Sequence, residues 1–166
     1  KGSLYYYFPD KEHLYIAVIK KEHDLFMHTV GEKIDSLSNP AEKIKEYVNT
    51  RLLYFQTLLN LSRFRHNNGI SELHTMMHEQ WNIFKVQEQS LLADILRYGI
   101  ENESFEDMDI NETAELLLDI IKGLSISLLK HKDIFYLEDA EYKKLEKKTN
   151  SFITLFIRGL KKENSH

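Results

Sequence analysis

The chain has 166 residues, 42% of them hydrophobic and 29% charged, with a formal net charge of −4 and no cysteine. That is one ordinary domain with enough apolar content for a sizeable core, and too much for an intrinsically disordered chain. The composition excludes disulfides and cysteine-based zinc or redox chemistry, and the acidic balance argues against a protein that coats nucleic acid along its whole surface.

Two prolines and six glycines among long stretches of Leu, Ile, Lys and Glu leave few places to break a helix, so the pattern predicts an all-α fold. A short helix is predicted over residues 2–7, ending at the Pro9-Asp10 turn. Asp10 suits the N-cap of the next helix, which runs to about Leu37 with Glu12 near the positive end of its dipole. Asn39-Pro40 marks another start, with Asn as cap, Pro at the first helical position and Glu42 three residues after the cap. In that helix Ile44, Val48, Leu52, Phe55 and Leu59 recur at helical spacing.

Asn67-Asn68-Gly69 then breaks the chain. A short helix is predicted over residues 71–77 and a longer one from about Glu79 to Asn102, with Trp81, Phe84, Leu91, Leu92 and Ile95 facing inward. Asp109-Ile110-Asn111-Glu112 has the pattern of a capping box opening a helix to about Lys130. A last helix starts near Glu138-Asp139 and ends around Leu160. The total is six or seven helices and no strand. The most apolar stretch, Leu116 to Leu129, is interrupted by Asp119 and Lys122 and is shorter than the roughly 20 residues a membrane helix needs. No signal peptide is legible, no membrane partner is expected, and the lack of cysteine fits a reducing cytoplasm.

The run Lys1-Gly2-Ser3-Leu4-Tyr5-Tyr6-Tyr7-Phe8-Pro9-Asp10-Lys11-Glu12-His13-Leu14 is the most specific motif in the chain. It resembles the end of the DNA-reading head in TetR-type (TetR/AcrR) transcriptional regulators, where a recognition helix is followed by a tight turn with a lysine and a long connecting helix. Further on, Arg97-Tyr98-Gly99-Ile100-Glu101, an acidic loop and Leu116-Leu117-Leu118-Asp119-Ile120-Ile121-Lys122-Gly123-Leu124 are similar to the body of the same family. The resemblance implies two parts: residues 1–9 as the remnant of a helix-turn-helix head, and residues 10–166 as an effector-binding and dimerisation domain. A helix-turn-helix needs its first helix to cross the backbone and brace the second. These supporting helices are expected to be missing from the 166 residues, so specific operator binding is not expected of them alone.

By the same resemblance Lys1, Gly2, Ser3 and Tyr7 face the bases, Tyr5, Tyr6 and Lys11 lie on the phosphate backbone or its edge, and Leu4 and Phe8 pack inside the head. Tyrosine hydroxyls and a lysine ammonium bond readily to phosphate oxygens, while small residues let a helix approach the base edges. The alternative is that the three tyrosines plug a hydrophobic surface. Residues 1–22 hold four lysines against three acids, and the remainder of the chain carries −5.

A second constellation comprises Phe64, His66, His74, Met76, Met77, His78, Trp81 and Phe84. Large, adaptable side chains with a few polar tips are what an apolar ligand cavity uses, although plain core packing uses them too. The family resemblance places the effector cavity among the middle helices, and the candidate effector residues are Phe55, Phe64, His74, Met77, His78, Trp81 and Phe84. A small apolar or aromatic effector is expected rather than a phosphorylated or strongly anionic one, because net −5 over residues 23–166 disfavours anions at long range. His74 and His78 stand four apart, which is metal-ligand spacing, and Glu72 or Glu79 could add an oxygen. A third ligand at a defined spacing is missing, so no metal and no cofactor is expected.

The last two helices carry a third signal. Between Leu116 and Leu129 only Asp119, Lys122, Ser125 and Ser127 are polar, and Gly123 would let a partner helix approach. In the final helix Leu145, Thr149, Phe152, Phe156 and Gly159 alternate spacings of four and three, as in a helix-packing seam. TetR-type proteins pair through these helices, so a homodimer is expected, with central helices of a single-chain bundle as the alternative. The implied function is a ligand-responsive repressor that binds operator DNA as a dimer and is released by a small molecule. The competing class is a helical-bundle enzyme or metal-binding protein. Di-iron bundles need Glu-x-x-His pairs on two helices, and Glu163-x-x-His166 in the tail is the only one here. No glycine-rich phosphate loop or nucleophile elbow is present, so the chain is not expected to be an enzyme.

Overall fold

The computed structural model describes residues 7–67, 73–127 and 138–162. They form five helices: α1 (Lys11–Asp35), α2 (Pro40–Asn67), α3 (Leu73–Glu101), α4 (Ile110–Ser127) and α5 (Asp139–Leu160). Among the described residues there is no strand, only an isolated bridge between Phe105 and Lys161 in which the Glu106 amide donates to the Leu160 carbonyl at 2.8 Å. The all-α class read from composition is the fold. The short helix expected at residues 2–7 lies, apart from Tyr7, outside the described residues, as does the end of α4 expected near Lys130.

The capping residues fix where helices begin. Asp10 has an extended backbone and its carboxylate accepts from the His13 amide at 2.8 Å. Asn39 accepts from the Ala41 and Glu42 amides at 2.9 and 3.3 Å, with Pro40 at the position where no amide hydrogen bond is needed. Asp109 accepts from the Glu112 amide at 2.9 Å. These side chains satisfy amides that the helix itself leaves unpaired, a contribution of about 1 kcal/mol per cap.

One boundary differs from expectation. The sequence predicts a break between Met77 and Glu79, but α3 runs through it as one helix. From Leu73 to Tyr98 there is neither proline nor glycine, so nothing interrupts the backbone ladder once it has begun.

α1 packs along α2, α3 pairs with α4, and α5 lies across α2 and α4. The main core joins Phe26, Val30 and Ile34 of α1 to Ile44, Tyr47 and Val48 of α2, Leu92 and Leu96 of α3, Leu117, Leu118 and Ile121 of α4, and Ile153 and Ile157 of α5. A second cluster ties Tyr15 and Ile19 in the first half of α1 to Met77 and Phe84 of α3. Each such aliphatic or aromatic side chain contributes about 1.5–3 kcal/mol by leaving water. α1 is thus anchored at both ends, by α3 near its start and by the main core further on.

The seam expected along α5 divides between two faces. Leu145 and Thr149 turn into the chain's own bundle together with Ile153 and Ile157, all buried. Phe152 and Phe156 are half-buried with ring centroids 5.7 Å apart, Leu155 is 64% exposed, and Gly159 is exposed. On α4, Leu116 is 52% exposed, and nothing stands within 4 Å of a Cβ added at Gly123 or Gly159. Each of the last two helices therefore presents an exposed leucine and an open glycine outward, Leu116 and Gly123 on α4 and Leu155 and Gly159 on α5.

Candidate functional site

Four helices line a partly open cavity of about 270 Å³. Its wall comprises His23 of α1, Arg51, Tyr54, Phe55 and Leu58 of α2, Trp81, Phe84 and Glu88 of α3, and Lys122, Ser125 and Ile126 of α4. That volume is near the lower end for ligand cavities, which start at about 300 Å³. The apolar part is built by helical periodicity. Trp81, Phe84 and Glu88 are one turn apart on α3, and Arg51, Tyr54, Phe55 and Leu58 share one face of α2. The Trp81 and Phe84 rings meet edge to face at 5.5 Å.

A buried polar cluster lies in this wall. Arg51 Nε donates to Glu88 Oε2 at 2.6 Å, and the Tyr47 hydroxyl donates to the same oxygen at 2.7 Å. The side chains of Arg51 and Glu88 are 7% and 3% exposed, so the carboxylate depends on these donors rather than on water. Lys122 Nζ stands 3.9 Å from Glu88 Oε1. Burial holds the Lys122 ammonium below the ordinary lysine range, opposed by the charge of Glu88. Burial and then Glu88 push the Tyr54 phenol well above its usual value, so it remains a protonated donor.

His23 joins α1 to the site. Its ring stacks on Phe84 with centroids 3.8 Å apart and planes 18° from parallel, and lies 5.8 Å from the Tyr54 ring. Nε2 is 3.0 Å from Gln87 Oε1, which can only accept, so Nε2 carries the proton. Burial lowers the His23 pKa, countered by Glu88, and favours the neutral ring. Nδ1 of His23 and the Tyr54 hydroxyl are buried without a hydrogen-bond partner among the described residues. A pocket with an apolar wall and a charged cluster in it is equipped to orient a small molecule.

Of the residues singled out in the sequence, Phe55, Trp81 and Phe84 come together in this wall. Met77 is buried against Tyr15, Ile19 and Phe84 and stands outside it. Phe64 is 56% exposed and His78 is exposed, and neither is in the wall. The His74 side chain, and with it the expected His74/His78 pairing, lies outside the described residues. Among the described residues no three His, Asp or Glu side chains are placed to share a metal ion. Lys1, Gly2, Ser3, Tyr5 and Tyr6 also lie outside the described residues, while Tyr7, 74% exposed, and Lys11, exposed, stand just before and at the start of α1.

The sequence pattern missed His23, Arg51, Tyr54, Leu58, Glu88, Lys122, Ser125 and Ile126. A signal for the charged members existed: Arg51 is flanked by Val48, Leu52 and Phe55 at helical spacing, and Glu88 sits one turn from both Phe84 and Leu92. A charge in register with a buried stripe must be paired, and the partner is on the facing helix.

No family model matches the chain, and no curated protein does. Among solved structures it is similar to a transcriptional regulator from Cytophaga hutchinsonii ATCC 33406, with a TM-score of 0.86 and 33% sequence identity over 96% of this chain and 81% of that one. No helix among the described residues is long and apolar enough to cross a membrane.

Proposed function

The chain belongs to the family of this Cytophaga hutchinsonii transcriptional regulator, and within it we propose a ligand-responsive repressor of the TetR type. In that reading residues 1–9 belong to a DNA-reading head, residues 10–166 form the effector-binding and dimerisation domain, and the protein acts in the cytoplasm. The observation that carries the proposal is the cavity whose wall includes His23 of α1. The helix that follows the Lys1–Phe8 motif thereby touches whatever fills the cavity. An effector acts only if it binds more tightly to the conformation whose heads miss the operator. α1, held by Met77 and Phe84 near its start and by the main core beyond, is the element that would transmit the difference.

Two-fold operators call for two-fold proteins. The outer face of α4 and α5 supports pairing with a second copy, because Leu116, Leu155 and the open glycines at 123 and 159 fit a close helix–helix contact. Repression is tested in the cell: loss of the gene should raise transcription of its target genes in RNA sequencing, and a fall would overturn the repressor reading. Native mass spectrometry of the purified protein, with identification of any retained small molecule, tests the effector part.

A further inference from the structure

Two cations face a single carboxylate in the cavity wall. Glu88 Oε2 is taken by Arg51 at 2.6 Å and Tyr47 at 2.7 Å, while Lys122 stands 3.9 Å from the other oxygen, beyond hydrogen-bond length. Within the wall itself Arg51 and Lys122 face Glu88 alone, while Asp119 bears on Lys122 from outside it. Tyr54 belongs to the same wall, with its hydroxyl buried and without a hydrogen-bond partner among the described residues. Phe55, Leu58, Trp81 and Phe84 supply the apolar remainder.

We propose that the ligand of this cavity is a monoanionic amphiphile, a small carboxylic acid whose head is held by Lys122 and whose apolar or aromatic body lies against Phe55, Leu58, Trp81 and Phe84. This rests on the cavity being the effector site and names the ligand class for it. A doubly charged phosphate exceeds the one ammonium that the wall offers beside the Arg51–Glu88 pair. A cation meets Arg51 and Lys122 with no carboxylate to spare, and a neutral molecule offers the ammonium only an uncharged acceptor, the weaker partner. The acidic balance of the whole chain does not oppose the assignment. Exposed charges are screened beyond about 8 Å at physiological ionic strength, whereas the ammonium touches the head directly.

Isothermal titration calorimetry of the folded chain with 2-naphthoate, 2-naphthamide and 2-naphthylmethylammonium, and with the matching octyl series, separates head from body. The acid of at least one series should bind roughly tenfold or more tightly than its amide, as a charge-assisted hydrogen bond demands, and the ammonium should not bind. Lys122→Met should erase the preference for the acid while leaving the amide unchanged, and Lys122→Arg should keep it. Lys122→Gln replaces the methionine variant if melting shows that variant unfolded. Equal affinity for acid and amide, or a preference that survives loss of the ammonium, overturns the carboxylate and leaves the cavity reading standing. No binding by any member of either series overturns both.

Discussion

Arg51 and Glu88 join α2 to α3 through a 2.6 Å contact between two side chains that are almost fully removed from water. Breaking one side of such a pair leaves an uncompensated buried charge, which costs about 3–5 kcal/mol, whereas an apolar replacement of both partners is often neutral. Glu88→Ala should therefore lower stability by about that amount in urea unfolding, because Arg51 loses its counter-charge and Tyr47 its acceptor. Arg51→Met combined with Glu88→Leu should recover most of it. A double variant as unstable as the single one would show that the pair is required for packing rather than for charge balance.

His23 gives the stability an acid limb. In the unfolded chain it takes a proton at about 6.5, and burial among Phe84, Phe26 and Tyr54 lowers that value in the fold. Between the folded and unfolded values the unfolded chain binds more protons, so stability falls as pH drops below 6.5 and is indifferent to this group above it. Glu88 and Asp24 soften the effect and Arg51 sharpens it. Urea midpoints of the parent and His23→Phe at pH 8, 6.5 and 5 should diverge only on the acid side, with the variant flatter. Parallel curves would place the acid limb on the carboxylates instead.

How much of this was legible in the residues depends on range. Asp10, Asn39 and Asp109 announce helix starts because a cap is satisfied by amides two or three positions away, and all three cap as expected. The apolar rows of α2 and α3 give their buried faces for the same reason. Met77 and Trp81 show where this stops: they are one turn apart on α3, yet Met77 is 3% and Trp81 43% exposed, and only Trp81 lines the cavity. That outcome is decided by Tyr15 and Ile19 of α1, more than 50 positions away. The Arg51–Glu88–Lys122 cluster draws on three helices, so no window along the chain contains it. The seam on α5 was half legible, because spacing marks Leu145 through Gly159 as apolar but not which of them face their own bundle.

Gly99 should not tolerate a methyl group. A Cβ placed there falls 2.1 Å from Phe105 Cδ2, and the Phe105 ring is 3% exposed in the main core with its amide bonded to the Gly99 carbonyl at 3.0 Å. Helix propensity alone would favour alanine at this position. The clash should reverse the sign and cost about 1–3 kcal/mol, as overpacking does. Adding Phe105→Leu should recover part of the loss in a double-mutant cycle, whereas additive effects would mean the ring is free to move aside.

The outer face of α4 and α5 carries the last prediction. Light scattering at micromolar concentration should give twice the 19.7 kDa chain mass. Leu155 is 64% and Leu116 52% exposed, so a charge at either position touches little of the chain's own core, and surface changes of that kind cost within about 0.5 kcal/mol. In a dimer pairing through this face the same charge is driven into an apolar contact and must be desolvated without a partner. Leu155→Glu, alone or with Leu116→Glu, should therefore convert the dimer to monomers that keep their helical circular dichroism. Charge at Phe152 or Phe156 is the weaker test, since both rings also pack against the main core and the fold itself suffers. A parent chain that scatters as a monomer, or a Leu155→Glu/Leu116→Glu variant that remains a dimer, would move the two-fold contact away from this face.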